Sequence, residues 1–169
     1  MKLHRRHLCS EQAGFTILEA MIACVVLTIV TVGLLGLFSV CISQNKAQGE
    51  VGTRTTEYCQ DKMEQLLALS YTDTASNTIV PPGASVGKGL SDGGGTDPKN
   101  PVANYADYFD SSGGALGATA AGAFYTRVWQ ISTAGNMKTI TVVTAANSAV
   151  GGQGTAPQSQ LVSFKTNTQ

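Results

Sequence analysis

From Ala20 to Ile42 the chain carries no charged residue and is mostly apolar, and Glu19 is the only charge between Phe15 and Ile42. A helix needs roughly 20 such residues to cross the hydrocarbon core of a bilayer, so this run is long enough to span one. A core helix of a soluble domain is apolar along one stripe and polar elsewhere. Here the apolar character goes all the way round, which argues against that assignment. The rest of the chain, in a total of 169 residues with 43% hydrophobic and 13% charged, suits one compact domain and no second. Basic and acidic residues balance at 11 each, without the clustered basic surplus of a nucleic-acid binder. The apolar fraction is also too high for disorder throughout.

The charge balance hides a segregation. Residues 1–14 hold Lys2, Arg5 and Arg6 with His4 and His7, against the single acid Glu11. A secretory signal places its small-residue cleavage site after the apolar stretch, whereas here Ala13-Gly14 comes before it. Cleavage there would leave the hydrophobic helix on the mature chain, with 8 basic against 10 acidic residues. By the positive-inside rule the leader stays in the cytoplasm and the remainder is exported.

Gly14-Phe15-Thr16-Ile17-Leu18-Glu19, after a short basic leader and at the head of an apolar helix, resembles the processing motif of type IV prepilins and pseudopilins. The resemblance implies a leader cleaved by a membrane prepilin peptidase between Gly14 and Phe15, and N-methylation of Phe15. It also implies a pilin fold, an α+β architecture with a long N-terminal spine helix packed on a small antiparallel sheet. The later pattern Gly33-Leu34-Leu35-Gly36-Leu37 is similar to PilV-type minor pilins of the type IV pilus modification group. The resemblance is specific over residues 14 to 42, suggestive to 70 and weak beyond.

Glu19 supports the same assignment physically. A carboxylate inside a membrane helix costs about 2.5 to 3.5 kcal/mol on insertion scales and needs a cation. Cleavage would create one in the Phe15 amine, four residues away or roughly 6 Å along the axis. In the resembled family the glutamate neutralises the amino terminus of an adjacent subunit during assembly. A snorkelling glutamate near the interface is the plainer alternative. Gly33 and Gly36 lower helix propensity by about 1 kcal/mol each, which marks them for helix flexibility or for close helix packing. Major pilins carry a proline where Gly36 stands.

Beyond Ile42 the pattern becomes amphipathic. Ala47, Val51, Thr55, Tyr58, Met63, Leu66 and Leu67 recur at helical spacing, with Lys46, Glu50, Arg54, Glu57, Asp61 and Glu64 on the other side. Lys46 with Glu50, and Glu50 with Arg54, are spaced for i,i+4 pairs. Gly49 and Gly52 read as bends, and the helix is expected to run to Leu69. Cys9 leaves with the leader. Cys24, Cys41 and Cys59 lie too far apart along one helix to bond within the chain, since a disulfide needs Cα atoms within about 7 Å. Cys59 reads as a buried apolar residue or an intermolecular thiol.

Residues 77–122 are rich in glycine and proline and read mostly as surface loop, with a short strand over Tyr105–Phe109 and a turn over Asp110–Gly114. Asp92, Asp97, Asp107 and Asp110 match no EF-hand spacing and read as turn formers. Three better strands follow: Phe124–Thr133, Met137–Ala145 across a hairpin at Ala134-Gly135-Asn136, and Gln160–Thr166. Laid across the helix, they would bury Leu66, Leu67, Trp129 and Ile140.

Catalysis has little support. Both histidines precede the expected cut, which removes His-based acid/base and nucleophilic arrangements from the mature chain. Gly93-Gly94-Gly95 and Gly151-Gly152 lack the context of a phosphate cradle, and there is no CxxC pattern. No catalytic residue, metal site or cofactor is expected.

The sequence therefore points to a minor pilin of a type IV pilus: a leader over 1–14, a transmembrane and filament-core helix over 15–42, and an amphipathic half with a periplasmic β head over 43–169. Its expected partners are prepilin peptidase, other major and minor pilins, and the inner membrane before assembly at the cell surface, with no nucleic acid. A type II secretion pseudopilin is the alternative, and a single-span envelope binding module, retaining residues 1–14, is a more distant one.

Overall fold

The computed structural model describes residues 14–80, 88–117, 120–148 and 156–167. The leader to Ala13, with its basic residues, both histidines and Cys9, lies outside the described residues, as does Gly151-Gly152. One helix, α1 (Ile17–Ala68), precedes five strands: β1 (Gly93–Gly94), β2 (Ala106–Phe109), β3 (Tyr125–Ala134), β4 (Met137–Ala146) and β5 (Gln158–Thr166). A long N-terminal helix with a small antiparallel sheet is the expected α+β layout. The chain divides into two compact units, Met1–Ile42 and Ser43–Gln169.

In the first unit the helix is apolar on every side and none of it is buried. Its most apolar 18-residue window has a mean hydropathy of 2.7, long and apolar enough to cross a membrane. Its hydroxyls are satisfied within the helix. Thr28 Oγ1 donates to Val25 O at 2.8 Å, and Thr31 Oγ1 donates to Leu27 O at 2.9 Å, so neither is left bare in an apolar setting.

In the second unit α1 buries Val51, Thr55, Cys59, Lys62, Met63 and Leu66. Gly49 and Gly52 do not end it. Arg54 pairs with Glu57 at 3.6 Å and not with Glu50 as its spacing suggested. The last turn of α1 contains no basic residue, but Lys165 Nζ from β5 donates to Leu67 O at 2.6 Å. That bond satisfies one of the carbonyls a helix end leaves open.

The sheet is antiparallel throughout, in the order β1-β3-β4-β5, with β2 sharing the same edge of β3 as β1. β3 and β4 form the expected hairpin, closing at Ala134↔Met137, with Gly135 at φ 60 in the tight turn. The principal core joins Cys59, Met63 and Leu66 of α1 to Trp129 and Ile131 of β3, Ile140 and Val142 of β4, and Ile79, Leu90 and Tyr105. Leu67 is only partly buried against it. On the opposite face of the sheet Ala106, Val128 and Val143 form a small cluster.

Two features correct the sequence-based expectation. The sheet has five strands, not three plus one, because Gly93–Gly94 pairs with Ile131 and Gln130. Only glycine fits there: a Cβ on Gly94, at φ 84, would stand 2.0 Å from Trp129 O. The described residues of 77–122 are mostly loop, as expected, but not all at the surface, since they supply Ile79, Leu90, Tyr105 and Phe109 to buried clusters.

Candidate functional site

The amino-terminal site is built from a short non-helical lead-in and the first turn of α1. Gly14, Phe15 and Thr16 precede the helix and are exposed, Phe15 at 76%. Among the described residues, a Cβ on Gly14 would meet nothing within 4 Å. Thr16 starts the helix: its hydroxyl accepts the Glu19 N–H at 3.3 Å, and its carbonyl accepts the N–H groups of Glu19 and Ala20 at 3.1 Å. Thr16-x-x-Glu19 is thus the spacing of a capping box, a helix-start signal that the sequence carries inside the cleavage motif. An acid in the first turn also suits the positive end of the helix dipole. Gly33 and Gly36 lie within unbroken helix, and a Cβ added at either would meet nothing within 4 Å.

The head holds a second cluster, buried and charged. Asp107 of β2 is 1% exposed, and its Oδ2 accepts from Arg127 Nε at 3.0 Å and Nη2 at 2.7 Å. Lys62 Nζ, on α1, lies 2.7 Å from the same oxygen, while Asp107 Oδ1 accepts the Val80 N–H at 2.9 Å. Arg127 Nη1 donates to Tyr58 O at 2.8 Å and to Asp61 Oδ2 at 3.0 Å. Lys62 Nζ also donates to Thr78 O and to Gln65 Oε1, and stands 4.1 Å over the Trp129 ring. Burial pulls the Lys62 amine down to about 8 against the opposing pull of Asp107. Every oxygen of Asp107 is engaged by the chain itself, so the cluster ties helix, sheet and the segment 78–80 together and offers no open position for chemistry.

Asp107 therefore is not a turn former, as its neighbours in sequence suggested, but the buried counter-ion of two cations. Arg127 in the middle of an apolar strand face was the signal that such a carboxylate had to exist. Asp97 and Asp110 do form turns: Asp97 accepts from Asn100 Nδ2 and Lys99 N, and Asp110 from Ser112 Oγ and the N–H groups of Gly114 and Ser112, and these bonds, the side-chain ones first, hold both carboxyls below their usual range. Asp92 accepts from Thr133 Oγ1. Among the described residues no group of three or more metal-ligating side chains converges. Cys59 is fully buried, its thiol donating to Thr144 Oγ1 and Ser159 O at 3.2 Å, and burial pushes its pKa up. Cys24 and Cys41 are exposed and form no disulfide.

A family model, the prokaryotic N-terminal methylation motif, matches residues 9–35. No curated protein and no solved structure matches the chain significantly. The matched segment spans the five residues before Gly14, the Gly14–Glu19 motif and most of the apolar run, and it supports a type IV pilin or pseudopilin. The motif implies processing by prepilin peptidase and assembly with other pilins. With the apolar helix it fits anchoring in the inner membrane before assembly.

Proposed function

We propose that the chain is a minor pilin, a structural subunit of a type IV pilus of the PilV-type group. The observation that carries this is Gly14-Phe15-Thr16-x-x-Glu19 at the head of an uninterrupted apolar helix within residues 9–35, preceded in the chain by the basic residues Lys2, Arg5 and Arg6. Prepilin peptidase cuts after Gly14 and the Phe15 amine is methylated. Residues 15–42 hold the subunit in the inner membrane with its amino end cytoplasmic, and later line the filament core. Residues 43–169 form the periplasmic head, displayed at the cell surface after assembly.

Glu19 has a defined task in this scheme. Cutting the Gly14–Phe15 bond places a cation at the positive end of α1, where the helix dipole disfavours it. A carboxylate one turn in, at a depth where water is scarce, neutralises that amine on a neighbouring subunit and so sets axial register. Gly33 and Gly36 give the helix a smooth face and a lower helical propensity where it packs among others.

Mass spectrometry of the membrane-extracted protein tests the processing step. The expected mass begins at Phe15 and carries one methyl group; an intact leader in cells with active prepilin peptidase would sink the proposal. A type II secretion pseudopilin shares the same motif, and presence in sheared surface pili, as against loss of protein secretion on deletion, separates the two. A single-span envelope binding module would keep residues 1–14 and tolerate loss of Glu19.

A further inference from the structure

We draw no further inference here: the strongest candidate, the open groove past the C-terminal end of α1 walled by residues 70–72 and 164–167, has no buried polar side chain in its walls, and nothing in the structure shows what covers it.

Discussion

Lys62 gives the sharpest prediction. Its amine is fully buried, and burial lowers its pKa from the ordinary 10.5 to about 8, which means the fold disfavours the charged form by about 3 kcal/mol. Lys62→Met keeps the aliphatic stem and removes that penalty. It also strips Thr78 O and Gln65 Oε1 of a donor, costing about 1–3 kcal/mol, while Asp107 keeps both bonds from Arg127. The net change at neutral pH is therefore expected within about 1.5 kcal/mol of zero. Asp107→Asn should behave differently, because it leaves two buried cations facing a neutral amide, and its expected loss is about 3–5 kcal/mol.

The pH dependence has a definite sign. A lysine whose folded pKa lies below its unfolded one has released its proton in the fold while the unfolded chain still holds it, so stability rises with pH above about 8. The rise is at most about 1.4 kcal/mol per pH unit. Cys59, the buried tyrosines Tyr105 and Tyr125 and the partly buried Tyr58 and Tyr108 are shifted up from 9.0 and 10.0 and pull the other way above those values, which leaves pH 8 to 9 as the clean window. Trp129, the chain's single tryptophan, lies 4.1 Å beneath the Lys62 amine and reports unfolding directly. Urea titrations of the detergent-solubilised full chain, followed by Trp129 emission, should show stability increasing from pH 8 to 9 in the wild type and flat in Lys62→Met. A Lys62→Met protein as unstable as Asp107→Asn, or one with an unchanged pH slope, would refute the assignment.

Three further outcomes are expected. Glu19→Ala should leave cleavage after Gly14 intact but reduce incorporation into sheared pili severalfold; normal incorporation would count against amine pairing. Gly94→Ala forces a Cβ to within 2.0 Å of Trp129 O at φ 84 and should cost about 2 kcal/mol or more in urea titrations, with an unchanged midpoint contradicting the β1–β3 pairing. Lys165→Met removes the donor on Leu67 O and should cost about 1 kcal/mol, with faster amide exchange confined to the last turn of α1; a change spread over the sheet would speak against a local capping role.

The features legible in the sequence are those set by neighbours along the chain. The apolar run, the Gly14–Glu19 motif, the amphipathic half of α1 and the β3–β4 hairpin all depend on spacing over a few residues, and their periodicity or turn chemistry survives in the linear order. Cys59 as a buried residue follows from the same stripe. The charged core does not, because Lys62, Asp107 and Arg127 come from three elements, and only the folded arrangement brings Asp107 of β2 within 2.7 Å of both cations. Read locally, an aspartate in a glycine-rich stretch is a turn former. Nor could composition reveal β1, since glycine has no strand preference of its own and Gly93–Gly94 pairs there because Trp129 and Tyr105 leave room for nothing larger. Local pattern determined which stretch is long and apolar enough to cross a membrane and where the methylation motif lies. Long-range packing, through desolvation that leaves a buried charge no partner except another buried charge, decided what holds the head together.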